Sequence, residues 1–489
     1  MSSVCIDIVF IKPGSQRKLY GELSTFMLTA IEPPLWPALL AGYLRQKGFS
    51  VDVLDAEAEE LTPEQTAVRI KEMNPLIAAV CVSGTNPSAS TMSMAGVSSI
   101  FSCLVEYAPH VKKLIMGLHP SALPQRTLLE ENVDFVCQGE GFFTIALLIA
   151  ILKEGGKEFI VPGLYYLQDD NICAGPTPVV YENIDELPRP AWDLLPMERY
   201  RAHNWHCFDS IENRMPYGVI YTSLGCPFRC SFCCINALFG RSGIRYRSPE
   251  NVIKEIDWLV ETYGIRNIKI LDEMFALNNE HVSNLCDLIV EHGHNLNIWA
   301  YARVNTVNQI MLAKMKKAGI NWLAYGFESG NQRILSDVSK GINRDKILDI
   351  VGMTYKEGLY ICANFIFGLP EDDFDSMQDT LNLAMEINGE WANLYSAMAY
   401  PGSKLYEEAI IKGIALPETW EGHSQYSYEC FPMATKYLQN KDVLRFRDYA
   451  FNAYYRNPRY LDMVTSKFGT SVAEHIQDMT SHTITRNLY

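Results

Sequence analysis

The sequence predicts an α/β protein in tandem parts: a doubly wound parallel sheet, a second succession of six βα units, and a mainly helical C-terminal region. Three observations carry this. Short apolar runs alternate with amphipathic segments in residues 1–160, and do so again in residues 216–405. Residues 161–215 between them are rich in proline and polar side chains and read as a linker. Residues 406–489 lose the strand pattern and carry many aromatics, such as Trp420, Tyr426 and Tyr454, on helical segments. No internal repeat or low-complexity tract stands out.

In the first part, Val4–Ile11 is a strand stopped by Lys12-Pro13-Gly14. A helix runs from Leu35 to Leu44 and ends on Gln46-Lys47-Gly48, with glycine at its C-cap. Ser50–Leu54 is a short strand, and Thr62-Pro63-Glu64-Gln65 opens a helix to Met73 with threonine as N-cap and proline at N1. Leu76–Val82 is continuously apolar, as a buried parallel strand requires, and Lys113–Gly117 and Phe135–Cys137 continue the sheet. Ligands of such sheets bind at the carboxyl ends of the strands. Three small, polar, glycine-bearing loops sit there: Ser83-Gly84-Thr85-Asn86-Pro87-Ser88, Gly117-Leu118-His119-Pro120-Ser121-Ala122 and Gln138-Gly139-Glu140-Gly141. Glycine there lets a backbone approach a large flat ligand.

In the second part the strands are Gly218–Leu224, Asn267–Leu271, Asn297–Ala302, Trp322–Gly326, Tyr360–Ile366 and Asn393–Met398. Helices Pro249–Tyr263, Asn279–His292, Asn308–Ala318, Asp345–Lys356 and Asp373–Ile387 alternate with them.

The first of these strands ends at Gly225-Cys226-Pro227-Phe228-Arg229-Cys230-Ser231-Phe232-Cys233. Cysteines at i, i+4 and i+7 in a loop of helical curvature turn three thiolates toward one point. Three soft thiolates suit an iron–sulfur cluster and leave one iron of a cubane open. Structural zinc sites want four ligands, usually as separated pairs, and neither a second CxxC nor a nearby histidine pair is present. Cys234 fits neither spacing and reads as a core thiol or one packed behind the three.

Composition bounds the rest. The chain has 489 residues, 48% hydrophobic and 20% charged, as in a soluble globular protein. A net charge of -15 argues against a nucleic-acid partner. Thirteen cysteines, an odd number, mostly stand alone in apolar runs, such as Cys81, Cys103, Cys286 and Cys362, which points to a reducing cytoplasm. Met1-Ser2-Ser3 lacks a basic leader, and no apolar stretch of ~20 residues spans a membrane.

CxxxCxxC with an aromatic before the third cysteine resembles the radical S-adenosylmethionine (radical SAM) superfamily. The resemblance implies that Cys226, Cys230 and Cys233 hold a [4Fe-4S] cluster, with Phe232 beside it, and that the six βα units form a partial (β/α)6 TIM-like barrel. S-adenosylmethionine would lie across the strand ends: Asp272 and Glu273 by its amino group, Arg303 by its carboxylate, Glu328 and Ser329 of a GxESG stretch by ribose and methionine, and Asn364 and Gly368 of a GxP turn by adenine. The glycine-bearing loops resemble the Rossmann-like cobalamin-binding domain of the cobalamin-dependent radical SAM class. Gly139-Glu140-Gly141 matches its "GEGE.T" feature, and Gly117, His119 and Ser121 fall in its "GGxHxxxxP" feature, with Met116 at the first glycine. The first loop adds Ser83, Gly84 and Thr85. A DxHxxG motif is absent, so base-off cobalamin without a histidine ligand is expected, with His119 hydrogen-bonded to its own loop or to corrin side chains.

The resemblance thus implies a methyltransferase acting on an unactivated carbon, or on phosphorus, of a small molecule, with electrons from a donor such as flavodoxin or ferredoxin. A radical cyclase or other rearranging enzyme on the same scaffold is the alternative, and a corrinoid or iron–sulfur sensor a more distant one. A methylthiotransferase fits less well, since no further cysteine trio is present.

Overall fold

The computed structural model describes residues 6–14, 29–82, 89–156 and 158–489. The loop Ser83 to Ser88, with Ser83, Gly84 and Thr85, and the first residues of the strand expected from Val4 lie outside them.

Strands β1 (Ile8–Lys12), β2 (Val51–Asp55), β3 (Ile77–Val82), β4 (Lys112–Gly117) and β5 (Phe135–Cys137) form a parallel sheet in the order β2-β1-β3-β4-β5. Alternation along β1 shows why both faces are covered. Ile8 and Phe10 join the core under helices Leu35–Gln46 and Phe142–Lys153, while Val9 and Ile11 face helices Pro63–Met73 and Met94–Tyr107. Thr62 caps its helix as its sequence requires: its hydroxyl accepts from Gln65 N, and the Gln65 side chain accepts from Thr62 N.

One difference from the sequence reading lies just past β5. The stretch expected to begin the linker at 161 instead adds β6 (Leu164–Gln168) and β7 (Asn171–Ala174), antiparallel on the sheet edge. The turn between them, Asp169-Asp170, has φ of 49° and 61°, the left-handed pair of a tight hairpin.

The second sheet contains β8 (Tyr217–Ile220), β11 (Asn267–Ile270), β12 (Asn297–Ala302), β13 (Ile320–Glu328), β14 (Tyr360–Phe367) and β15 (Trp391–Ser396), all parallel and paired in chain order. The strand expected over Gly218–Leu224 is broken: Ser223–Leu224 is a separate strand, β9, which pairs antiparallel with β10 (Arg245–Tyr246) and turns the chain into the cysteine loop. Helices Asn440–Tyr455, Pro458–Phe468 and Thr470–Ser481 follow. Tyrosines of the first two reach the backbone around the edge strand β15: Tyr455 donates to Ala392 O at 2.7 Å, Tyr454 to Gly389 O at 2.6 Å and Tyr460 to Glu390 O at 3.0 Å. Such coverage removes an exposed sheet edge.

Buried ion pairs join the N-terminal part of the chain to the barrel part. Lys269 on β11 meets Glu32, just before the helix Leu35–Gln46, at 2.7 Å, and Arg245 on β10 pairs with Glu140 in the loop after β5.

Candidate functional site

The site begins where β8 ends. Gly225 has φ of 93°, and a Cβ on it would stand 2.5 Å from Gly243 O, so only glycine turns the chain here. The loop behind it is fixed through its main chain: Gly225 N donates to the Glu273 carboxylate Oε2 at 2.8 Å, Gly243 N to Cys226 O at 3.1 Å, and Ser231 N to Val338 O at 3.1 Å. Cys226 and Cys230 are buried and Cys233 nearly so. Burial pushes the Cys233 thiol up to about 12 and raises that of Cys226. Iron charge is what stabilises such thiolates. Cys234 is buried, its Cβ 3.6 Å from where a Cβ on Gly402 would stand.

Glu273, Arg303, Glu328, Asn364 and Phe232 are brought together around one cavity of about 410 Å3. Arg303 lies over the Phe228 ring at 3.7 Å, with Nη1 at 3.5 Å from Cys230 Sγ and Nη2 donating to Lys340 O. Glu328 owes its direction to β13. The ladder slips between Gly326 and Glu328, and Glu328 has φ of 65°. A bulge re-aims a side chain, and a left-handed glutamate is strain held by its surroundings. Glu328 then meets Lys340 at 2.5 Å. Gly326 leaves room for this pair: a Cβ there would press on Glu328 Oε1 and stand 2.8 Å from Lys340 Nζ. Asn364 donates to Tyr325 O at 3.0 Å and accepts from Asn393 Nδ2 at 2.9 Å. Burial raises Glu273 to about 7.

Three expected contacts are not brought to the cavity. Asp272 spends both oxygens on Thr222 N (2.7 Å), Thr222 Oγ1 (2.5 Å) and Ser223 Oγ (2.6 Å), so it braces the approach to the cysteine loop. Ser329 is fully buried, 3.0 Å from Thr380 Oγ1 and accepting from Asn331 N at 3.1 Å. Gly368 (φ 83°) has Val443 where a Cβ would stand, so this glycine lets the turn pack on the helix Asn440–Tyr455. Lys340 was missed by sequence reasoning. It lies in a loop 12 residues beyond Glu328, and no local spacing signals the pair.

The N-terminal loops serve largely one another. Ser121 Oγ donates to Gly117 O at 2.6 Å and accepts from Gly139 N at 2.9 Å. Glu140 accepts from Tyr181 N at 2.8 Å besides pairing with Arg245. A Cβ on Gly117, Gly139 or Gly141 would meet Val82 O, Pro178 or Met116, so each glycine lets protein approach its backbone closely. His119 is bonded not within its own loop but to Thr91 Oγ1, 3.1 Å away, and its ring meets Trp420 at 4.5 Å. Burial pushes its pKa down to about 3. The carboxyl edge of this sheet still reaches the cavity: Ala89 and Met92, after β3, line it with Met398 and Tyr400 of the barrel. His119 is not among the residues that line it.

The description "Radical SAM superfamily" matches residues 220–384, and "B12 binding domain" matches residues 27–149. An uncharacterized methyltransferase of Pyrococcus horikoshii is 30% identical over 430 residues, 88% of this chain and 89% of that one. The chain belongs to the cobalamin-dependent radical SAM methyltransferase family. The enzyme is also 25% identical over 385 residues to an anaerobic magnesium-protoporphyrin IX monomethyl ester cyclase of Rubrivivax gelatinosus, covering 77% of this chain and 66% of that one. Its fold is shared with the cobalamin-dependent S-adenosylmethionine radical enzyme OxsB, at a TM-score of 0.71 and 16% identity, over 98% of this chain and 72% of that one. The family's cofactors are a [4Fe-4S] cluster, S-adenosylmethionine and cobalamin. Among the described residues no helix is long and apolar enough to cross a membrane.

Proposed function

We propose that the enzyme methylates a non-nucleophilic centre, an sp3 carbon or a phosphinate phosphorus, of a small molecule bound in the cavity. The observation that carries this reading is the shared lining: Ala89 and Met92 from the first sheet face the same space as Glu273, Arg303, Glu328 and Asn364 from the second. When bound, the cluster with S-adenosylmethionine supplies hydrogen-atom abstraction, and cobalamin supplies the methyl group. The chain's own part is to bind and shield. Arg303 and the Lys340 ammonium offer cations to the carboxylate of S-adenosylmethionine, and Glu273 offers an acceptor to its amino group. Trp299, Trp391, Tyr395, Met398 and Tyr400 line the cavity with bulky apolar surface, which excludes water from a reactive substrate. An external one-electron donor of the flavodoxin or ferredoxin type completes this reading. None of the twelve described cysteines is in a disulfide, which supports a reducing compartment such as the cytoplasm. The net charge of -15 supports a partner set without nucleic acid.

Anaerobic turnover with mass spectrometry tests it. S-adenosylhomocysteine, 5′-deoxyadenosine and methylated product are expected in a ratio near one to one to one, corrected for uncoupled cleavage. A substrate deuterated at the target position passes label to 5′-deoxyadenosine. Substrate-dependent 5′-deoxyadenosine with neither S-adenosylhomocysteine nor an added methyl would instead assign a ring-forming or rearranging reaction.

A further inference from the structure

Away from the cavity, on the outer helices of the barrel, a second set of ligand-type atoms converges. Asp257 lies in the helix Pro249–Tyr263, His292 is the last residue of the helix Asn279–His292, and His294 follows it by two. His292 Nδ1 is 3.0 Å and His294 Nε2 is 2.6 Å from the same oxygen, Asp257 Oδ1. One ligand atom from each side chain lies within 4.8 Å of the other two, and no other such trio occurs among the described residues. Gly293, in the left-handed region at φ 69°, turns the chain so that both imidazoles face one point.

The electrostatics suit a cation. Among the described residues no lysine or arginine is ion-paired with Asp257; its partners are the two imidazoles. The carbonyl end of the Asn279–His292 helix adds negative potential at the same place. We infer that Asp257, His292 and His294 form a binding site for a divalent transition-metal ion, zinc above all. Two imidazoles and one carboxylate are borderline ligands that favour zinc over magnesium or calcium, and water completes a tetrahedral set. Binding asks each neutral imidazole to carry its proton on the nitrogen turned away from Asp257; no bond is made or broken otherwise. The ion would fasten two helices that flank β11. His292 ends its helix at the amino-terminal face of the barrel, opposite the cavity, a face whose residues serve stability rather than chemistry. The site is therefore a fastener and not a catalytic centre.

The test uses the full enzyme with its cluster and cobalamin loaded. It is dialysed anaerobically against buffered zinc alone, and zinc and iron are then counted. Zinc is redox-inert, so the cluster is not oxidised. Wild type is expected to hold one zinc per chain beyond the His292→Gln/His294→Gln protein, with equal iron in both. Each single variant, Asp257→Asn included, should bind zinc about tenfold more weakly or worse. Zinc should raise the melting temperature of wild type and leave that of the double variant unmoved. X-ray absorption at the zinc edge should show nitrogen and oxygen neighbours without sulfur. If the double variant does not fold, the half-exposed His292→Gln change alone gives the comparison. Equal zinc in wild type and variants, or sulfur in the zinc shell, would overturn the assignment and leave a hydrogen-bonded triad.

Discussion

The carboxyl ends of the two parallel sheets do opposite things with similar-looking motifs. On the barrel side, Glu273, Arg303, Glu328 and Asn364 reach the cavity, and Gly326 keeps clear the space in which Glu328 and Lys340 pair. On the N-terminal side, Gly117, Gly139 and Gly141 make room for Val82, Pro178 and Met116, and Ser121 and Glu140 are consumed in ties between loops. The barrel edge is a chemical surface built from charged side chains. The N-terminal edge is a rigid platform that presents small and apolar groups such as Ala89 and Met92. The contrast teaches that a glycine motif and a charge motif carry different information: glycine reports close approach without saying what approaches.

The predictions test that division, from the largest effect down. Ala at Cys226, Cys230 or Cys233 should abolish the ~400 nm absorbance of thiolate-bound iron and all 5′-deoxyadenosine formation. Cys234→Ala, at a buried position beside Gly402, should keep both. Loss of the cluster in Cys234→Ala but not in Cys233→Ala would reassign the ligands.

Next comes the buried Glu328–Lys340 pair. Lys340→Met leaves a buried carboxylate alone and should cost about 3–5 kcal/mol in denaturant unfolding. Adding Glu328→Gln should return most of that stability without restoring binding of S-adenosylmethionine. A double variant that binds the cofactor normally would show the pair to be structural only.

Glu273 gives a pH signature. Burial raises its pKa from 4.5 to about 7, so the folded state holds this proton more tightly than the unfolded chain. Its contribution to stability therefore falls as pH rises from about 4.5 to about 7 and is flat above. Affinity for the ammonium of S-adenosylmethionine should rise through the same window as the carboxylate ionises. Glu273→Gln should flatten both curves; an unchanged pH profile of binding would remove Glu273 from the cofactor site.

The smallest effect is expected at His119. His119→Ala loses the bond to Thr91 and the edge contact with Trp420, about 1–2 kcal/mol together, and should leave the cobalt spectrum unchanged. An axial-nitrogen signal that vanishes in this variant would make His119 a ligand.

Much of this fold was legible because its signals are local. The Thr62 capping box, the glycine ends of the helices, and the six βα units of the barrel each follow from residues within one turn or one strand. The turn that carries Cys226, Cys230 and Cys233 at the end of the first barrel strand was legible for the same reason. Pairings across long separations were not. Glu32 meets Lys269 across 237 positions, and the partners of Asp272 lie about 50 positions upstream. The β6–β7 hairpin had a local signal, Tyr165-Tyr166 before Asp169-Asp170, but the nearby prolines outweighed it. At Asp272 and Ser329 the residue type suited a ligand, yet nearer protein hydroxyls had claimed the oxygens.

The division of labour is most directly tested by enzyme that carries its cluster but no cobalamin. Glu273, Arg303, Glu328 and Lys340, the groups proposed to hold S-adenosylmethionine, all come from the barrel part of the chain. Given S-adenosylmethionine and a strong reductant, such protein should still form 5′-deoxyadenosine and should form no S-adenosylhomocysteine. Silence on both products, with 5′-deoxyadenosine restored only when cobalamin is added, would contradict the account and make the two edges one inseparable site.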